Sequence, residues 1–294
     1  MHARNVRADV LLLLVATIWG FAFVAQRLGL EHLGPFGFNA SRFLLGALSL
    51  LPLLFFIRPG AEHRPVEIAK YGALAGFVLF AGASFQQVGL LYTTAGNAGF
   101  ITGLYIIFVP LLGIFLRQRT SAATWLGGAF AVTGLYLLSV HELNSINPGD
   151  LLQLCGAVCW ATHVLLIARL APQLDNLRLA IAQFMVCALL SLITALLFEQ
   201  ESFLLANIHQ AWTAIAYAGL ISVGIAYTLQ IVAQRDAPPA HAAIIMSLEA
   251  VAAALGGWWI LDEQLSLIGL IGCGFMLAGM LLSQLPSMRR RNNL

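Results

Sequence analysis

The sequence predicts an all-α integral membrane protein, with ten transmembrane helices arranged as two five-helix repeats of inverted topology. Three observations carry this. Of the 294 residues, 60% are hydrophobic and 10% are charged, too little polar surface to cover a soluble globule. The apolar residues gather into ten runs that are almost free of charge. The basic residues sort to alternate sides of those runs.

The runs fall near 10–30, 36–57, 69–91, 95–116, 122–140, 151–169, 178–198, 212–234, 240–261 and 267–285. A helix rises about 1.5 Å per residue and the hydrocarbon core is roughly 30 Å thick, so each run is long enough to cross. The first run follows Arg4 and Arg7 and so begins like a secretory leader. It is too long for a leader's apolar core, lacks a small-x-small cleavage site at its end, and is followed by more such runs. It reads as a retained span.

All but two of the 15 Lys and Arg residues lie in the termini and alternate loops. They are Arg4 and Arg7; Arg58, Arg64 and Lys70; Arg117 and Arg119; Arg169 and Arg178; Arg235; and Arg289, Arg290 and Arg291. The opposite loops hold Arg27, and Arg42 lies inside the second span. This partition predicts both termini in the cytoplasm and therefore an even number of crossings. The net charge of +2 is spread along the membrane faces, which gives nucleic acid no basic patch to bind. Cys155, Cys159, Cys187 and Cys273 all fall within spans. Cys155 and Cys159 share a helix face, but no further soft ligand accompanies them, so no metal and no cofactor are expected.

The chain repeats itself. A shift of 141 positions brings Trp19 onto Trp160 and Phe43 onto Phe184. A shift of 142 aligns Gly82 with Gly224 and Phe85 with Tyr227, and one of 145 aligns Gly127 with Gly272 and Gly134 with Gly279. The drift falls at loops. We therefore expect one repeat over 10–140, a second over 151–285, and tails at 1–9 and 286–294. Five spans is an odd number, so the second copy enters the membrane upside down, an architecture typical of secondary transporters. The polar segment from His141 to Asp150, without a basic residue, is the expected outside hinge.

Several motifs resemble those of the drug/metabolite transporter superfamily, and within it the ten-span proteins with two EamA repeats. They are Ile18-Trp19-Gly20-Phe21-Ala22-Phe23-Val24, Ala40-Ser41-Arg42-Phe43, Asn97-Ala98-Gly99-Phe100-Ile101, Val109-Pro110-Leu111, Leu248-Glu249-Ala250-Val251 and Asp262-Glu263-Gln264-Leu265-Ser266. The resemblance implies transport of small organic metabolites such as amino acids, with export as a frequent direction. It covers nearly the whole chain and is specific for class, not for substrate. The family often has Pro after the span-nine Glu where this chain has Ala250, so no proline kink is expected there.

Candidate site residues follow from depth and polarity. Glu249, about 14 Å into span nine by helical rise, is the lone acidic residue inside a span. A charged carboxylate there costs several kcal/mol, so it is protonated, paired or in a wet cavity; a structural hydrogen bond to a neighbouring helix is the competing reading. Arg42 lies in span two toward the outer side, either to attract an anionic group or to anchor the helix by snorkelling. Its mirrored counterpart is Gln183. His163 is a titratable group at mid-span, a proton-relay candidate or a packing residue. Trp19, Tyr105 and Trp160 are aromatics at mid-depth, away from the interfaces where such side chains concentrate, which suggests a lined cavity or plain core packing. Gln86, Gln87 and Asn97 near the outer ends of spans three and four suggest an outer gate. Tyr227, Gln230 and Gln234 suggest an inner one. Pro52 and Pro110 should bend spans two and four. The paired glycines of spans five and ten could pack internally or across a dimer.

The reading is a multi-pass carrier of the cell's inner (plasma) membrane that moves a small metabolite by alternating access. Its partners are the lipid bilayer and the substrate, with a proton as candidate coupling ion and monomer or homodimer left open. A channel or a non-transporting scaffold is the rival. An intramembrane enzyme has no support, because no His-Glu-x-x-His, Gly-x-Ser-x-Gly or carboxylate pair lies in the spans.

Overall fold

A computed structural model describes residues 2–57, 64–117, 120–139, 148–264 and 266–283. Arg58, Arg119, the loop 140–147, Leu265 and the segment 284–294 with Arg289, Arg290 and Arg291 lie outside the described residues, and the topology reading that uses them is not addressed by the structure. The described chain is helical, with no strand among the described residues.

Ten apolar helices follow one another. They are α1 (Val6–Gly29), α2 (Pro35–Phe56), α3 (Pro65–Gly89), α4 (Ala95–Phe115), α5 (Ala122–Leu137), α6 (Pro148–Leu170), α7 (Asn176–Phe198), α8 (Trp212–Gln234), α9 (Pro239–Ile260) and α10 (Leu267–Ser283). All but α5 and α10, which are shorter, are long and apolar enough to cross a membrane. Their starts are written locally. Pro35, Pro65 and Pro239 stand in first turns, where a missing N–H costs nothing. The side chains of Thr94 and Asp175 cap α4 and α7 by accepting the Asn97 and Arg178 backbone N–H at 3.1 and 3.0 Å.

Contacts between helix ends fix the up-and-down order. The start of α1 meets the start of α9 and the end of α10, through His241 Nε2 to Asp9 Oδ1 at 2.8 Å and His241 Nδ1 to Ser283 Oγ at 3.1 Å. We call this the terminal face. On the opposite, far face, the end of α7 meets the start of α2, and the end of α9 meets the start of α4. Bulky apolar residues such as Phe55, Phe115, Phe198 and Trp259 stand exposed on the perimeter.

α5 and α10 pack on each other, which decides how their glycines are used. A Cβ on Gly127 would overlap the Gly279 carbonyl, and one on Gly134 would overlap that of Gly272. Phe130 and Phe275 stack beside them at 5.7 Å. The small faces are consumed internally, leaving none of these four positions free for a dimer.

Four helices depart from regularity. α2 gives way to a turn at Leu51 and Pro52 before resuming over Leu53–Phe56, as the proline predicts. α4 breaks at Leu104, and α9 breaks at Ser247 and Leu248. Both steps are tightened turns with i→i−3 bonds: Leu104 N donates to Ile101 O at 3.1 Å, and Ala250 N to Ser247 O at 3.1 Å. The break in α9 needs no proline. Ser247 Oγ donates to Ile244 O at 2.9 Å and so competes with the helix for its own acceptors. In α8 the segment Tyr217–Tyr227 is wound as a π-helix, a feature the sequence reading did not contain.

Candidate functional site

A cavity of about 30 Å³, with room for about two water molecules, lies at the centre of the bundle. Its wall takes Trp19 from α1, Arg42 from α2, Tyr105 from α4, Trp160 and His163 from α6, and Glu249 from α9. Seven helices contribute, so residues far apart in sequence converge on one space. Gly20 makes this possible on one side: a Cβ there would overlap Ala252 and the Glu249 carbonyl, so its absence lets α1 lie directly on α9. Gln183 does not line the cavity. It holds His163 from behind, its Oε1 2.9 Å from the imidazole Nε2.

The two charged groups are each left incomplete. Arg42 is 2% exposed. Its Nε donates to Asn39 Oδ1 at 2.8 Å, and Asn39 is itself anchored through Nδ2 to Ala83 O at 3.1 Å. The guanidinium lies 4.7 Å from the centre of the Phe43 ring. Nη2 has no protein partner. Glu249 is 3% exposed, and its Oε1 also lacks a partner. The Tyr105 hydroxyl is its polar neighbour, but the two do not close a hydrogen bond. No ion pair or hydrogen bond joins Arg42 to Glu249. Arg42 therefore faces the cavity itself and not the outer surface that a snorkelling side chain would reach.

Tyr227 organises the aromatic wall. Its ring centre lies 4.6 Å from Trp19, 5.9 Å from Phe184, and 6.2 Å from each of Phe43, Trp160 and His163. Tyr227 and Gln230 were expected at an inner gate; both line the central cavity instead. Tyr227 stands seven residues before the end of α8, about 10 Å of helical rise, which is already deep in the hydrocarbon layer. The π-helix is stitched to α1 in both directions. Tyr217 Oη donates to Ile18 O at 3.0 Å and Trp19 Nε1 to Ser222 O at 3.4 Å. Such windings recur at functional sites.

The expected outer gate divides. Gln86 lines the cavity, accepts from Trp160 Nε1 at 3.0 Å and donates to Gln26 Oε1 at 2.8 Å. Gln87 donates to the Gln26 carbonyl at 3.3 Å and is absent from the wall, so it serves helix packing. Asn97 alone sits at the far face, donating to Asp150 Oδ1 at 2.8 Å. Gln234 donates to Val164 O at 3.1 Å, again between helices. Sequence reasoning missed Gln26, Asn39, Thr102 and Gln153, which complete the polar seam. Their signal was an amide or hydroxyl inside an apolar run. It is weak, because such groups also satisfy backbone carbonyls with no further role.

No group of His, Cys, Asp and Glu suited to a metal occurs among the described residues. Asp9, His241 and Ser283 form a chain of contacts in space, but the Ser283 hydroxyl is spent on Met280 O at 2.7 Å and is not presented as a nucleophile.

The fold and cavity define a helical, multi-pass membrane protein with a buried polar site at mid-depth. The sequence profile of the EamA-like transporter family matches residues 6–140 and again residues 147–285; the chain belongs to that family, within the drug/metabolite transporter superfamily. Relatives extend along nearly its whole length. An Archaeoglobus fulgidus protein named an uncharacterized transporter is 29% identical, over 96% of this chain and 87% of its own. A Bacillus subtilis protein named uncharacterized transporter YoaV is 20% identical, over 94% of this chain and 96% of its own. An Escherichia coli protein named uncharacterized inner membrane transporter YedA is 25% identical, over 90% of this chain and 86% of its own. A solved crystal structure matches the fold with a TM-score of 0.79 at 19% identity, covering 98% of this chain and 99% of that one.

Proposed function

We propose that this protein is a secondary transporter that moves a small zwitterionic metabolite, of the amino-acid kind, by alternating access. The observation that carries the reading is the pair Arg42 Nη2 and Glu249 Oε1. One is basic and the other acidic; both are buried, both lack partners, and both line one cavity without meeting each other. Leaving two such groups unpaired in a membrane interior costs several kcal/mol. A ligand carrying a carboxylate and an ammonium offsets that cost at both ends, while the Trp19, Tyr227 and Trp160 rings receive its apolar part.

Glu249 also serves the coupling role in this reading. With the Tyr105 hydroxyl as its polar neighbour, it takes a proton when the ammonium leaves and releases it when the ammonium returns, so substrate and proton move in opposite senses. The basic residues set the terminal face in the cytoplasm. The Escherichia coli relative, named an inner membrane transporter, supports the same membrane for this chain. A polar recess lined by Arg7, Asn176 and Arg235 opens between α1, α7 and α8 at that face, in keeping with loading from the cytoplasm and export. Carriers of this family act as transporters, not enzymes, and we read this chain the same way.

The test is a thermal-shift screen of purified protein with amino acids, their amides and their N-acylated forms, followed by flux in proteoliposomes. A ligand that binds the fold raises its melting temperature. The expected ligand loses its effect when either charged end is blocked. Equal binding of blocked and unblocked forms would defeat the zwitterion reading, and flux that never saturates would favour a pore.

A further inference from the structure

We infer that Glu199 and Glu263 are the far-face gate: two carboxylates of the last five helices that clamp helix N-termini of the first five. The inference rests on the alternating-access reading above and names the contacts that must break for the far side to open.

Both N-termini are built to receive a carboxylate. A helix start leaves several N–H groups unbonded and carries partial positive charge. α2 begins at Gly34 and Pro35 without a capping side chain of its own. Its cap comes from the end of α7: Glu199 accepts the Phe36 N–H at 3.1 Å and the Gly37 N–H at 2.8 Å. At α4, Thr94 takes the Asn97 N–H, and Glu263 takes the two left over, Ala95 at 3.1 Å and Gly96 at 3.2 Å.

The approach of each carboxylate is cleared by a glycine. A Cβ on Gly34 would overlap the Glu199 carboxylate, and one on Gly257 would overlap that of Glu263. Asp262 completes the second seat. It adopts a left-handed conformation (φ 55°), tolerated by Asp, and turns the chain off the end of α9 so that Glu263 points back at α4.

Two features make these clamps a gate and not ordinary caps. Each joins one half of the chain to the other, so a rocking motion of the halves must break it while bonds within helices survive. Both also stand at the same face. There a third carboxylate, Asp150, accepts from Asn97 Nδ2 at 2.8 Å and from Thr93 Oγ1 at 3.2 Å, again across the halves. At the terminal face Asp9 of the first half meets His241 of the second, beside the recess.

The test reads accessibility and needs no substrate. Ser222→Cys places a thiol in the cavity wall. Sealed vesicles of each orientation are treated with a membrane-impermeant maleimide, and labelling at position 222 is quantified by peptide mass spectrometry, which separates it from the native cysteines. Combining this with Glu199→Ala and Glu263→Ala should raise labelling from the far side tenfold or more without raising it from the terminal side. Glu199→Gln with Glu263→Gln, which keeps one acceptor oxygen per clamp, should give a smaller rise and carries the test if the Ala variant does not insert. Unchanged far-side labelling overturns the gate. A rise from both sides overturns it too, because it marks loosened packing. If flux assays fail while far-side labelling responds, the zwitterion reading falls and the gate stands.

Discussion

Tyr105 and Glu249 hold the same place in two broken helices: each is the first residue after the mid-helix step, Tyr105 in α4 and Glu249 in α9, and both face one cavity. Discontinuous helices at the membrane midplane are a recurrent way of building a transporter site. The two halves differ in chemistry at this shared position, a phenol in one and a carboxyl in the other. That difference gives the cavity an acidic side.

Glu249→Gln preserves size and most hydrogen-bonding capacity, so a residue used only in packing should tolerate it. We expect exchange of substrate across proteoliposomes to persist while accumulation loses its dependence on a pH gradient. The measurement compares counterflow with uphill transport in the same vesicles. Wild-type uphill transport would return Glu249 to a packing role.

Arg42→Gln makes α2 resemble α7 at the mirrored position, Gln183. A lost hydrogen bond to a charged group costs about 1.5–3 kcal/mol, or roughly 10- to 150-fold in affinity. The loss should appear for carboxylate-bearing ligands and vanish for their amides. Asn39→Ala should weaken the same ligands less, because Asn39 aims the guanidinium without reaching the cavity. Calorimetric titration of both variants distinguishes these outcomes.

Tyr227→Ala should be destabilising by about 3–5 kcal/mol, the usual cost of deleting a large buried aromatic side chain. Tyr227→Phe keeps the ring that contacts Trp19, Phe184 and His163 and should melt close to the wild type. Melting temperatures in detergent give the comparison.

Gly127→Leu should disrupt the α5–α10 contact and lower the melting temperature, because its Cβ would meet the Gly279 carbonyl. Gly128→Leu, one residue on, should be tolerated, since nothing lies within 4 Å of a Cβ there. Equal effects of the two substitutions would mean that this pair of helices is not packed as described.

Reporter fusions after Arg64, Arg119, Asp175 and Arg235 should report cytoplasm, and those after Asn147 and Glu201 should report the outside. This follows from the partition of basic residues between alternate loops. Agreement between the Asp175 and Asn147 fusions would end the inverted ten-span reading.

Hydropathy and charge made the helices legible, and depth made several site residues legible with them. Trp19, Tyr105, Trp160, His163 and Glu249 were singled out by mid-span position and by polarity or aromaticity, and Trp19, Trp160 and Glu249 also come with a motif or mirrored partner. Gln87 and Gln86 looked alike in sequence yet parted in the structure, one into helix packing and one into the cavity wall. Adjacent positions on a helix differ in direction by about 100°, so a depth estimate cannot separate them.

Sequence by itself determined the membrane class, the helix count and the places where helices start and stop, because transfer into lipid is a sum over local residues and a helix converts residue number directly into depth. The tertiary structure decided what faces what. The π-helical segment of α8 is bonded to α1 and brings Tyr227 to the cavity wall, and Glu199 finds its helix start 163 residues away. These are matters of helix rotation and of partners distant in sequence. They are set by packing among helices whose apolar faces look alike to lipid and to protein.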